Sequence, residues 1–255
     1  MKTQDFTAID VETTGLNPKM ERIIEVGAVK VRGGKVVDRF ESLLNPGRKL
    51  ENRIVELTGI TDEMLEEAPS PEEVMPQLLD FIGDDILLGH SLMFDYSFIK
   101  RLAVNLKLME AQSTSIMGID TLKIARHFLM ELESRSLSYL CQYFDIPHKP
   151  HRALGDALAA AMLYEKLAGK FYEESVFAPY KLIYRVKREV PASPAQKERL
   201  YKLAREHKLV LDYDLNSLTR NEASRMTDKI ILQYGRPGRA KEAESRSLPG
   251  SFLKH

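Results

Sequence analysis

The sequence predicts an α/β fold in which a mixed β-sheet is flanked by helices and followed by a small helical module. Three observations lead there. Three apolar-rich strand patterns open the chain, two of them joined by a tight glycine turn. Strand and helix patterns then alternate, which places later strands parallel within the same sheet. Past Pro191-Ala192-Ser193-Pro194 the chain carries two helical patterns, the second opened by a capping box.

Phe6 to Glu12 reads as the first strand, with Phe6, Ala8, Asp10 and Glu12 on one face and Thr7, Ile9 and Val11 on the other. Apolar residues on both faces make it a central strand covered on both sides. Arg22–Val31 and Lys35–Leu44 are further strands, linked through Arg32-Gly33-Gly34, where glycine supplies positive φ cheaply. Thr61-Asp62-Glu63 opens a short helix. Ser70-Pro71-Glu72-Glu73 opens a longer one toward Ile82, with a capping serine, a first-turn proline and acids at the positive end of the dipole. Ile86–Gly89 is a short buried strand before a helix from Phe94 to Leu106. Ile116–Ile119 is another strand, and Asp120 starts a helix through Met130. Helices over Ser136–Phe144 and Ala153–Leu167 complete a body assigned to residues 1–170, with Cys141 on the apolar side of its helix.

Residues 171–190 read as a connector, 191–235 as the helical module and 236–255 as a polar tail expected to be disordered. In the module one helix runs from Pro194 to His207, with Leu200, Leu203 and Ala204 on one side. The other runs from the capping box Thr219-Arg220-Asn221-Glu222 to Tyr234, with Met226, Ile230 and Tyr234 on its apolar side.

With 44% hydrophobic and 29% charged residues, the 255-residue chain is no disordered protein, and 14 Gly and 12 Pro exclude collagen-like classes. One cysteine cannot form an internal disulfide, which argues against a secreted scaffold. No uncharged apolar run approaches the ~20 residues of a spanning helix, and the start Met1-Lys2-Thr3-Gln4-Asp5 lacks a signal core. A soluble cytoplasmic protein without a membrane partner is therefore expected. The zero net charge conceals a division: residues 1–170 hold 20 basic and 26 acidic side chains, and 171–255 hold 17 and 11. An acidic body suits metal-binding carboxylates and a basic end suits a polyanion, although ordinary surface variation gives the same balance.

Asp10 and Glu12 stand on one face at the end of an interior strand. Buried like charges raise each other's pKa unless a cation neutralises them. Alone, such a pair is better explained as two acids at an exposed strand end. Three segments add to it. Asp10-Val11-Glu12-Thr13-Thr14-Gly15-Leu16 runs from strand into a tight turn. Gly89-His90-Ser91-Leu92-Met93-Phe94-Asp95 places a third carboxylate in a helix's first turn. His151-Arg152-Ala153-Leu154-Gly155-Asp156 supplies a histidine and a fourth carboxylate, the latter inside an otherwise apolar run.

Together the three segments resemble, in order and separation, the motifs of the DEDDh branch of the 3′→5′ exonuclease superfamily, which has an RNase H-like fold. Leu57-Thr58-Gly59-Ile60-Thr61, Asp120-Thr121-Leu122 and Ser136-Leu137 also recur in that family, so the resemblance covers about residues 5–168. It implies that Asp10, Glu12, Asp95 and Asp156 bind two divalent ions, with Asp10 bridging, and all-oxygen ligation favours Mg²⁺ or Mn²⁺. Two such ions roughly 3.5–4 Å apart activate a water and stabilise the leaving 3′ oxygen. His151 is implied as the general base, a task suited to an imidazole. The resemblance implies that the product is a nucleoside 5′-monophosphate, released one at a time from a 3′ end.

The resemblance also implies substrate contacts: Thr13 and Thr14 at the 3′-OH, Leu16 against the last base, Leu57, Thr58 and Phe94 lining the pocket, and His90 near the phosphate. Core packing explains Leu16, Leu57 and Phe94 equally well, and a structural role explains His90. Where the family often has Asn after that histidine, this chain has Ser91. The final helices resemble small SAP-like modules, and Lys197, Arg199, Lys202, Arg205, Lys208, Arg220, Arg225 and Lys229 either contact phosphates or form a solvated face.

The expected activity is that of an epsilon-type proofreading or repair exonuclease acting on single-stranded or frayed DNA. No polymerase-like region is present in the sequence, so proofreading requires a separate polymerase partner. Two alternatives remain: an exoribonuclease of the same superfamily, and a non-catalytic nucleic-acid-binding or polymerase-tethering protein.

Overall fold

The computed structural model describes residues 5–112, 116–211 and 213–236. These fall into two compact units, Met1–Glu189 and Val190–His255.

The first unit is built on six strands in the order β3-β2-β1-β4-β5-β6. Strands β1 (Phe6–Thr13), β2 (Ile23–Arg32) and β3 (Lys35–Leu43) form an antiparallel meander. Helices α1 (Asn52–Thr58), α2 (Asp62–Glu66) and α3 (Pro71–Ile82) follow. Strand β4 (Leu87–Gly89) then enters parallel to β1, and α4 (Met93–Asn105) leads on to β5 (Met117–Asp120), parallel to β4. Helices α5 (Thr121–Phe128), α6 (Leu137–Tyr143), α7 (Ala153–Phe171) and α8 (Glu174–Phe177) precede β6 (Tyr180–Lys181), which is antiparallel to β5.

The parity read from β1 decides the layers. Phe6 and Ala8 meet Val29, Val31 and the alanine-rich side of α7 on one face, where Phe6 packs edge-on against Tyr164 at 5.3 Å. Ile9 and Val11 meet Val26, Ala28, α3 and α4 on the other. Each large apolar side chain buried in these layers contributes roughly 1.5–3 kcal/mol. Ala157, Ala159, Ala160 and Ala161 are all buried, and such short side chains let α7 lie close to the sheet. Cys141 is buried in the same layer.

Two segments depart from the sequence reading. The segment 171–190, expected to be a connector, contributes α8 and β6 to the first unit. Helix α1 was not anticipated: it spans only seven residues, buries Ile54 and Thr58, and ends at Gly59 with φ 71°. That left-handed cap is open to glycine without strain.

The second unit contains α9 (Pro194–Glu206) and α10 (Arg220–Tyr234), each opened by a capping box, Ser193 with Gln196 and Thr219 with Glu222. Leu200, Leu203, Leu218, Ala223 and Ile230 form its core, whereas Tyr234, read from sequence as apolar-face, is exposed. Of its basic residues, Lys202 pairs with Glu198 at 2.7 Å and Lys197 bonds Asn216. Residues 237–255, which carry nearly all of the tail expected to be disordered, lie outside the described residues. Among the described residues, no helix is long and apolar enough to cross a membrane.

Candidate metal-binding and catalytic site

The site lies at the carboxyl end of β1, on the face that α7 covers. Asp10 and Glu12 reach it from β1, and Asp156 reaches it from the first turn of α7. Ligand oxygens of these three carboxylates lie within 4.8 Å of one another. The strand period of two and the helix's first turn thus bring together positions 146 residues apart in sequence.

Asp95 approaches from the other layer, in the first turn of α4, and is buried. Its Oδ1 accepts the Val11 N–H at 3.2 Å. The paired length of β4 ends before Val11, so that N–H lacks a ladder partner and the carboxylate takes it. Asp95 lies outside the group of three mutually close carboxylates but acts electrostatically on Asp10.

The electrostatics are those of a cluster that needs positive charge. Burial, then Asp95, Asp156, Glu12 and Glu25, hold the Asp10 carboxyl well above its ordinary range. Glu12 is pushed up to about 7 by burial, then by Asp156 and Glu25, with Arg152 opposing. Burial also raises Asp95, against the hydrogen bond from Val11. A donor set of hard carboxylate oxygens, with the pKa values of Asp10, Glu12 and Asp95 raised, fits a hard divalent cation.

His151 ends the loop before α7 at φ 65°, a left-handed conformation unusual for a side-chain-bearing residue. Its backbone N–H donates to Asp156 Oδ2 at 2.9 Å, and this bond ties the strained loop to the helix turn. The other oxygen of Asp156 bonds Nε2 of His148, whose side chain is almost fully buried. His148 was not singled out from the sequence. Its only sequence signal is a second histidine three positions before His151. Glu25 was also missed: a fully buried glutamate on β2, it is the cross-strand partner of Glu12.

The residues expected to contact substrate divide into two groups. Leu16 is 85% exposed and Leu57 51% exposed, so neither is a core residue. Thr13 Oγ1 donates to the Gly15 carbonyl at 2.8 Å, and Thr14 Oγ1 donates to Glu21 at 2.6 Å while receiving Arg48. Thr58 is buried, its hydroxyl donating to the Ile54 carbonyl and accepting from Ile60 N–H. Phe94 is partly buried against Phe98 at 5.0 Å. His90 uses Nδ1 toward Thr121 Oγ1 and Nε2 toward the Arg135 carbonyl, so the fold occupies both ring nitrogens, and burial lowers its pKa. Ser91 adopts φ 71°, with its N–H on Asp120 Oδ1. That left-handed backbone is one asparagine tolerates well, which gives the family's frequent asparagine there a conformational reason.

Known proteins resemble this chain over the same region. The exonuclease family RNase_T matches residues 7–164. The PolC-type DNA polymerase III of Bacillus subtilis is 40% identical over 177 residues, 69% of this chain and 12% of that one. The PolC-type enzyme of Thermotoga maritima is 40% identical over 160 residues, 62% and 11% respectively. The chain therefore spans only about an eighth of the length of these relatives.

Among solved structures, Exonuclease X in complex with 5′-overhanging duplex DNA has a TM-score of 0.53 at 26% identity, covering 68% of this chain and 97% of that one. Exonuclease I of E. coli in complex with a dA16 oligonucleotide has a TM-score of 0.59 at 18% identity, covering 69% and 42%. A 3′-exonuclease that recognises the histone mRNA stem-loop has a TM-score of 0.56 at 19% identity, covering 67% and 84%. The last two likenesses show the shared RNase H-like fold. With the matched family spanning more than half of its length and the acidic cluster inside the match, the chain belongs to the RNase_T exonuclease family.

Proposed function

We propose that the first unit removes nucleotides one at a time from the 3′ end of DNA, single-stranded or frayed, in a divalent-metal-dependent hydrolysis. The observation that carries this reading is the convergence of Asp10, Glu12 and Asp156 within 4.8 Å at the end of β1. Asp10, Glu12, Asp95 and Asp156 would hold two ions. Bound there, Mg²⁺ or Mn²⁺ supplies Lewis-acid stabilisation and a more acidic water.

The chain's own groups do the rest. His151 takes a proton from the attacking water as its oxygen bonds to the last phosphorus. The P–O3′ bond breaks, and the departing O3′ takes a proton from solvent, leaving a nucleoside 5′-monophosphate and a new 3′-OH. The hydrogen bond from His151 N–H to Asp156 fixes the base relative to a ligand. Leu16 and Leu57 are exposed and free to pack on a terminal base; Phe94 presents a partly buried ring. Thr13, Thr14, Thr58 and His90, engaged in bonds that hold the backbone, would shape the nucleotide pocket.

The relatives are polymerases, which supports a proofreading or repair role beside a polymerase, in the cytoplasm. The exposed cations Arg199, Lys202, Arg205 and Lys208 of the second unit would add salt-dependent affinity for phosphates.

The test is degradation of matched DNA and RNA oligonucleotides labelled at either end. The reading expects 5′-monophosphates from the 3′ terminus with Mg²⁺ or Mn²⁺, none with a chelator, and DNA consumed faster than RNA. Faster RNA turnover would favour an exoribonuclease. A folded chain that binds oligonucleotides without cleaving them would favour a tethering protein.

A further inference from the structure

Glu25 is fully buried on β2, where an unpaired carboxylate would be costly. All the partners described for it come from the start of α7. Oε1 accepts from Arg152 Nε at 3.0 Å and Nη2 at 2.7 Å, and Oε2 accepts from the Ala153 N–H at 2.9 Å. Ala153 is the first residue of α7, so its N–H has no intrahelical acceptor, and the helix dipole favours an anion there.

A second observation concerns the backbone two residues along the same face of β2. A Cβ on Gly27 would lie 2.1 Å from Leu154 N and 2.2 Å from Ala153 C. The first turn of α7 therefore rests directly on β2, and only glycine permits that approach. Glu25 and Gly27 are the cross-strand partners of Glu12 and Asp10. The turn seated by Glu25 and Gly27 carries Asp156 and is entered through His151.

We propose that Glu25 and Arg152 are positioning residues: a carboxylate–guanidinium clamp that seats the His151–Asp156 turn over Asp10 and Glu12. The clamp sets the spacing between the acid from α7 and the two strand acids, and it fixes the base relative to them. Arg152 also reaches Glu41 on β3 at 3.5 Å, so the guanidinium bridges α7 to two strands. Neither residue belongs to the three-carboxylate group. The competing account is a staple that fastens helix to sheet and affects stability alone.

The proposal rests on the exonuclease reading, and its test therefore includes a measurement without substrate. Glu25→Gln keeps the shape and an oxygen for Ala153 N–H but loses the charge opposite the guanidinium, whereas Arg152→Ala removes the fork. For wild type and both variants we would measure Mn²⁺ affinity by calorimetry, kcat and KM on a 3′-labelled oligonucleotide, and melting temperature. For Arg152→Ala we would add millimolar guanidinium or ammonium.

Each variant is expected to lose about 10–100-fold in Mn²⁺ affinity or kcat, as partners of ligand groups do elsewhere, with KM within about twofold of wild type. Guanidinium, and not ammonium, should restore part of the Arg152→Ala loss. Wild-type Mn²⁺ affinity and kcat in Glu25→Gln would overturn the clamp, even if the melting temperature fell. An inactive wild type would defeat the exonuclease reading, and the calorimetry would still decide the clamp.

Discussion

Asp10→Asn is expected to cut exonuclease turnover at least about 1000-fold without unfolding the chain. Ligand oxygens of Asp10, Glu12 and Asp156 lie within 4.8 Å of one another, and Asp95 also acts electrostatically on Asp10. A metal ligand there would support transition-state stabilisation worth several kcal/mol, and each 1.4 kcal/mol is a factor of ten in rate. Asparagine keeps the shape while removing a charge that burial and four neighbouring carboxylates already penalise. The ion-free variant should therefore melt at or above the wild-type temperature at pH 8. Single-turnover kinetics with saturating Mg²⁺, paired with melting curves, check both halves. Turnover within tenfold of wild type would remove Asp10 from the catalytic centre.

The same electrostatics give the second large effect: the ion-free protein should lose stability as pH rises from about 4.5 to about 7, and a divalent cation should restore it. Glu12 is raised from 4.5 to about 7, first by burial and then by Asp156 and Glu25. A carboxyl whose folded pKa is raised binds its proton more tightly in the native state. Its stabilising contribution is thus complete below pH 4.5 and lost as pH climbs through 7. The shift corresponds to about 3 kcal/mol, or ~5–10 °C of melting temperature in a domain of this size. Asp10 and Asp95 push the same way. Melting in EDTA at pH 5 and pH 8, then with Mn²⁺, checks this. Mn²⁺ should add more at pH 8, and Glu12→Gln should flatten the slope. Equal melting temperatures in EDTA at the two pH values, with no response to Mn²⁺, would contradict the cluster's electrostatics.

Much of this site was legible in the sequence because its information is local. The alternation along Phe6–Glu12 placed Asp10 and Glu12 on one face, and burial of both faces of β1 follows from the same pattern. Helix starts with a chemical signature were readable for the same reason: Ser70 with Glu73 and Thr219 with Glu222 form capping boxes. What escaped is tertiary. Glu25 looks like an anomaly in an apolar strand until Arg152, 127 residues away, arrives beside it. His148 acquires meaning only because the loop folds it back onto Asp156. Helix α1 lacks a side-chain N-cap bond, and the two-residue β6 exists by pairing with β5, so neither carries a strong local pattern. For His90, a motif position identified by resemblance proved to have both ring nitrogens bonded within the fold.

The central claim, that this acidic group holds a pair of divalent ions, is tested most directly by anomalous scattering from crystals grown with Mn²⁺ and a nucleoside 5′-monophosphate. The account predicts two manganese peaks in contact with Asp10, Glu12, Asp95 and Asp156, with the phosphate beside them. Clear density for the nucleotide with no manganese among those four carboxylates would contradict it.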